Sequence, residues 1–238
     1  MNGQPIYPAK SRGKRLGPLP LLRLVILVLL PLCLAMSGQA RAGQTLRYLS
    51  EPGQSLVGLS GTSTLHDWSA QGKVIHGSVE FLQNLHAKIG AKDQAFPLVT
   101  AEHITLDFRI PVKSLKSDTD GMDDEIYKTL DSAEHPNIAF SFLSAAFVSQ
   151  PTNNQYVFKV KGDLRINGVS RPQDLAVMVT HLSGDELLVN TKTTVKMTDF
   201  KITPPSLMCG LLKSGDKVKI KLAWCLVLDK ERSLSKAD

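Results

Sequence analysis

What most restricts this chain is a period of two that recurs along residues 43–238. Ile104, Leu106, Phe108, Ile110 and Val112 alternate with His103, Thr105, Asp107, Arg109 and Pro111. Tyr156, Phe158, Val160, Leu164 and Ile166 are set against Val157, Lys159, Lys161, Asp163 and Arg165. Leu187, Val189, Val195 and Met197 share one phase, and Asn190, Lys192, Thr194 and Lys196 the other. Val218, Ile220, Leu222, Trp224, Leu226 and Leu228 oppose Lys217, Lys219 and Lys221. Successive side chains of a strand point to opposite faces, so the pattern describes strands with one buried and one wet face. Shorter or less regular strands are expected over 54–60, 68–82, 137–148 and 172–181. Turn chemistry sits at 151–154, Asn167-Gly168, 183–185 and 214–216, and 90–100 reads as a loop. Met122, Ile126 and Leu130 have helical spacing behind Asp118 and Asp120 and ahead of Pro136, which predicts one short α-helix over about 120–132.

About eight alternating strands and one helix leave few ways to bury the apolar phase. A lone helix cannot cover such a sheet, so the sheet must close on itself or fold into two layers. Long strands with tight hairpins favour closure. The expected fold is all-β, a single extended antiparallel β-barrel. An eight-stranded barrel is just wide enough inside to be filled by side chains or to hold one small ligand. The residues expected to face inward are Phe108, Ile110, Phe140, Phe142, Phe158, Val160, Leu164, Val189, Met197, Ile220, Leu222 and Trp224. No linker or repeat interrupts 43–230, which reads as one domain, and 231–238 as a frayed polar tail.

Residues 1–42 are different in kind. They carry six basic and no acidic residues, an apolar stretch over 24–36, and Ala40-Arg41-Ala42 as a small-x-small site. That order reads as a signal peptide cut before Gly43, hence an exported protein, periplasmic or secreted. As a helix the stretch would reach about 20 Å, short of the ~30 Å apolar core of a bilayer. The whole chain has a net charge of +6, but residues 43–238 hold 22 basic and 22 acidic residues. A neutral body offers no obvious supply for binding nucleic acid, which needs clustered cations.

Four segments resemble one family. They are Gly61-Thr-Ser-Thr-Leu-His-Asp-Trp68, the run Asp123 to Phe140, Gly162-Asp-Leu-Arg-Ile-Asn-Gly-Val-Ser-Arg-Pro172, and Met197-Thr-Asp-Phe-Lys-Ile-Thr-Pro-Pro205. Their order and spacing over about Leu56 to Leu228 are similar to the YceI-like family of exported lipid- and polyisoprenoid-binding proteins. The resemblance implies a lipocalin-like barrel with a helix against it. It also implies an elongated apolar cavity for an isoprenoid chain, and no shared catalytic activity. Two departures lie in one loop: Cys209 stands where an ordinary small or apolar residue is usual, and Lys201 where glycine is common.

Sharper chemistry finds little support. Ser63, His66 and Asp67 suggest a hydrolase, but neighbours in a strand diverge and no G-x-S-x-G elbow occurs. His66, Asp67 and Trp68 are instead expected to organise a strand bend, with Trp68 as a packing anchor. Gly168 and Pro172 are expected to shape a hairpin. The six histidines, 66, 76, 86, 103, 135 and 181, show no metal-ligand spacing, and the acidic run at 118–125 breaks the calcium-loop register. Whether Cys209 and Cys225 pair is open; by phase Cys225 points away from the interior.

The expectation is an exported, non-catalytic protein that holds an isoprenoid quinone or polyprenyl lipid, for carriage, storage or sequestration. It requires no cofactor, touches membranes transiently and takes no nucleic acid; its oligomeric state is open. The alternatives are an enzyme acting on a bound apolar substrate through His66, Asp67 or Cys209, or a partner of a membrane redox protein.

Overall fold

The computed structural model describes residues 45–82, 99–119, 121–182, 185–207 and 212–231. All belong to the compact unit Gly43–Asp238. The strands are β1 (Thr45–Ser50), β2 (Leu56–Ser63), β3 (Trp68–Gly72), β4 (His76–Leu82), β5 (Val99–Thr100) and β6 (Ile104–Pro111). After the helix α1 (Met122–Thr129) come β7 (Asn137–Thr152), β8 (Gln155–Ile166), β9 (Val169–His181), β10 (Glu186–Lys196), β11 (Ser206–Leu207) and β12 (Leu212–Leu228).

Eight of them form a closed antiparallel barrel in the order β1-β4-β6-β7-β8-β9-β10-β12, with β12 returning to β1. Along the edge away from β10, Leu226–Leu228 of β12 pair with β1, and Ser214–Ala223 with β2, which carries β3. The alternation sorts as expected. Val218, Trp224 and Leu226 are buried, whereas Lys217, Lys219 and Lys221 are exposed.

Turns follow local chemistry. Asn167 (φ +48°) and Gly168 (φ +71°) both take left-handed backbone between β8 and β9, as a two-residue hairpin of matching twist requires. Gly168 is also held bare by its neighbour, since a Cβ there would sit 2.6 Å from the His135 ring.

The structure corrects several expectations. β1 was not foreseen. Residues 68–82 form two strands rather than one, because β3 pairs with β2 while β4 lies between β1 and β6. The stretch 214–216 is no hairpin turn but a bulge in β12, where the pairing jumps from Ser214↔Ser63 to Val218↔Gly61. β7 runs on to Thr152, leaving Asn153-Asn154 as the link to β8. Strand β9 begins at Val169, ahead of Pro172, which lies opposite Asp163 in a stretch of β9 paired to β8 but not to β10. The helix stops at Thr129, short of the predicted end, where the chain turns left-handed at Asp131 (φ +48°).

Near α1 one acidic residue, Asp123, has a structural role. Asp123 accepts the Ser117 N–H at 2.7 Å and pairs with Lys116 at 3.0 Å. The Ser117 N–H and then Lys116 hold its carboxyl below the usual range. Tyr127 ties the helix to the barrel, donating to the carbonyls of Leu115 (2.8 Å) and Lys113 (3.1 Å).

Candidate functional site

The barrel interior holds a cavity of about 780 Å³, within the range of pockets that bury a sizeable ligand. Eleven of the twelve inward-phase residues line it: Phe108, Ile110, Phe140, Phe142, Phe158, Val160, Leu164, Val189, Ile220, Leu222 and Trp224. At its wall Phe108 packs edge-on to Trp224, with ring centroids 5.1 Å apart. The Trp224 indole N–H donates to Ser50 Oγ at 2.7 Å, so this aromatic is fixed from β1.

Among the described residues, no carboxylate, lysine or arginine lines this upper cavity. Three of its polar side chains bond to the protein's own backbone. Tyr156 Oη donates to the Asn153 carbonyl (3.3 Å), Thr191 Oγ1 to the Ala176 carbonyl (2.9 Å) and His181 Nδ1 to the Leu182 carbonyl (3.0 Å). Such a wall can hold apolar surface by area alone and offers little to a charge.

Met197, the twelfth candidate, lies elsewhere. The last turn of β10 winds into a short 3-10 helix, Met197–Phe200, and Met197 lines a second cavity of about 550 Å³ beside α1. Strict alternation ends where that turn begins, so its phase could not be carried forward. The two cavities adjoin at Leu59, Ile138 and Ile220, which line both. The lower one is more mixed, with His66, Glu125, Thr129 and Lys213 among its residues.

The 61–68 segment builds a corner of the lower cavity. Ser63 Oγ donates to the His66 carbonyl (2.6 Å) and accepts the N–H groups of Leu65 (3.3 Å) and His66 (3.2 Å). His66 Nδ1 donates to the Asp67 backbone carbonyl, at 3.0 Å, not to the Asp67 carboxylate. These atoms form a turn, not a nucleophile with an oriented base. Trp68 crosses bare Gly61, where a Cβ would come within 2.6 Å of the ring, and its buried Nε1–H has no acceptor among the described residues. Pro172 is exposed and lines neither cavity.

Sequence reasoning passed over part of the wall. Val57 and Leu59 from β2, Val79 and Phe81 from β4, and Leu175, Val177 and Val179 from β9 also line the upper cavity. Their alternation is present but short, and glycines or polar neighbours dilute it.

Cys209 lies outside the described residues, as do the leader 1–42 and the tail beyond 231. Cys225 is a free thiol. It keeps the outward phase and is nonetheless buried, under the turn between β1 and β2: its N–H donates to Ser55 Oγ (3.1 Å), and its carbonyl accepts the Glu51 N–H (3.0 Å). Burial, then Glu186 and Glu51, push the thiol's pKa up, away from a reactive thiolate. Among the described residues no cluster of three His, Cys, Asp or Glu side chains could hold a metal, and no helix is long and apolar enough to cross a membrane.

A family model described as the YceI-like domain matches residues 50–224. The chain belongs to the YceI-like family. Among solved structures, this YceI-like chain is similar to BcnA of Burkholderia cenocepacia, with 17% identity and a TM-score of 0.53, covering 74% of this chain and 98% of that one. A polyisoprenoid binding domain from Saccharophagus degradans, implicated in plant cell wall breakdown, matches at 12% identity and a TM-score of 0.53, covering 76% and 98%. At such identities these likenesses speak for the fold. A comparison with curated proteins found no match.

Proposed function

We propose that this is an exported, non-catalytic barrel that holds an isoprenoid-type lipid, a quinone or polyprenyl chain, for carriage, storage or sequestration. The observation that carries the reading is the upper cavity, large enough for a chain and with no charged side chain among its described lining residues. Membership of the YceI-like family and the fold shared with a polyisoprenoid binding domain support it. Each buried CH₂ contributes ~0.8 kcal/mol, so several isoprene units suffice for tight holding without a charged anchor. The chain fills the upper cavity, and the polar head reaches the lower one, where His66, Glu125 and Lys213 offer hydrogen bonds. The leader, cut before Gly43, delivers the protein to the periplasm or beyond. No resident cofactor is needed.

The test is native mass spectrometry of the protein purified after export, followed by organic extraction and lipid identification. A mass beginning at Gly43 with a stoichiometric isoprenoid adduct is the expected result. Protein that is exported empty and refuses added ubiquinone and squalene alike overturns the lipid reading. The chain has two tryptophans, so a Trp224→Phe variant leaves Trp68 to report on the lower cavity. Ubiquinone, but not squalene, should quench it.

A further inference from the structure

The body of the chain is neutral in sum, with 22 basic and 22 acidic residues over 43–238, yet the barrel does not distribute them evenly. On the outer face of β10 and β12 the register sets Lys192 opposite Lys221 and Lys196 opposite Lys217, with Lys219 between, opposite Thr194. All five lysines are exposed. On the other side of β12 the residues opposite Lys219 and Lys221 are Ser60 and Gly58, which carry no charge. None of the five lysines forms an ion pair with a described residue. One acid, Asp216, feels Lys196, but its two oxygens are bonded to the N–H and hydroxyl of Thr198 at 2.9 and 2.8 Å.

Five cations thus occupy a patch about 14 Å along the strands and about 5 Å across. Like charges placed directly opposite each other on a sheet destabilise it, so folding alone gives no reason for this arrangement. Some lysines elsewhere have an acid at hand: Lys161 faces Asp174 across β8 and β9, Lys116 pairs with Asp123 and Lys230 with Asp185.

We propose that the β10–β12 lysine ladder is a docking face for an anionic membrane surface. The partner is argued from charge complementarity. A flat array of flexible, unpaired cations suits a sheet of anionic headgroups, which attracts basic residues within about a Debye length. The lysine stems lie on the outside of strands whose inner residues Val189, Ile220 and Leu222 line the upper cavity, so the docked wall is also a cavity wall. The face goes beyond the cargo reading, since docking can fail while lipid binding stands.

The experiment is flotation of the mature protein with vesicles of phosphatidylcholine, alone or with phosphatidylglycerol, over a range of salt. Wild type should bind the anionic vesicles at low salt, release as salt rises, and ignore phosphatidylcholine. A variant carrying Lys192→Gln, Lys217→Gln, Lys219→Gln and Lys221→Gln should lose about fivefold per lysine removed. It should also melt at a higher temperature than wild type, because the facing cations are gone. Lys159→Gln with Lys161→Gln, on β8, should leave vesicle binding unchanged.

Absence of binding to anionic vesicles at low salt overturns the proposal. Equal losses in the β8 and β10–β12 variants overturn it too. So does a soluble polyanion, heparin or duplex DNA, that binds the ladder more tightly than vesicles do. Loading with ubiquinone is measured in parallel on every variant, and unchanged loading separates failed docking from failed cargo binding.

Discussion

The upper and lower cavities share strands and even wall residues, yet they are different places. Upper residues such as Phe140, Phe142, Phe158, Val189 and Leu222 are only half-buried, their inner faces bordering empty volume. Lower residues such as Ile166, Phe200 and Ile202 are at 5% exposure or less, pressed by α1 and the 3-10 turn. Alternation supplies apolar side chains to both. How much space they leave between them depends on what crosses the end of the barrel.

The comparison can be broken most forcefully with a charge. Phe158→Asp puts an uncompensated carboxylate in the upper wall and should weaken isoprenoid binding more than a hundredfold. Glu125→Gln, beside the lower cavity, should change it less than threefold. Both are read by titration with ubiquinone. An equal loss in the two variants would show that the cavities do not divide chain from head.

Stability should divide the other way. Phe200→Ala removes a ring at 1% exposure and should cost about 3–5 kcal/mol in urea unfolding of lipid-free protein. Phe142→Ala borders space already empty and should cost about 1–2 kcal/mol, since fewer contacts are lost. Similar costs would mean that the upper cavity is packed in solution.

Backbone strain gives a smaller, signed pair of effects. Gly168→Ala should destabilise by about 1–2 kcal/mol, from left-handed backbone and contact with His135. Lys201 stands where glycine is common in the family and takes φ +59°. Lys201→Gly should therefore stabilise by about 0.5–1 kcal/mol. Loss of stability in Lys201→Gly would show that the lysine side chain contributes more than its strain costs.

The smallest effect is with pH. Asp216 joins β12 to the 3-10 turn, and its hydrogen bond from the Thr198 N–H lowers its pKa from the ordinary 3.8. A depressed carboxyl adds stability that is present above that ordinary value and lost as pH falls through the folded one. Asp216→Asn should flatten the acid limb of a melting-temperature profile below about pH 4, leaving neutral pH little changed. An unaltered limb would assign the acid sensitivity to other carboxylates.

Much of this was legible beforehand, and the failures have local causes. Strands β6, β8, β10 and β12 announce themselves through long alternation. In β1 only Leu46 and Tyr48 carry it, too few to register, although Tyr48 is buried and stacks on Phe81 at 5.7 Å. Ser214-Gly215-Asp216 has turn composition, but a bulge needs the same residues, and only pairing with β2 distinguishes the two. The family segments also pointed to Lys201 and its neighbours, though not to the lower cavity they help to frame.

By itself the sequence determined which side chains lie inside and which outside, because that follows from a two-residue period within each strand. It also determined the hairpin at Asn167-Gly168, whose geometry is written in two adjacent residues. Tertiary structure decided that the inside divides into a wide apolar cavity above and a smaller, mixed one beside α1 below, because barrel width depends on how eight strands close and what covers their ends. It decided, too, that a neutral body has a basic face. A charge count cannot see register, and only the pairing of β10 with β12 puts Lys192 against Lys221 and Lys196 against Lys217.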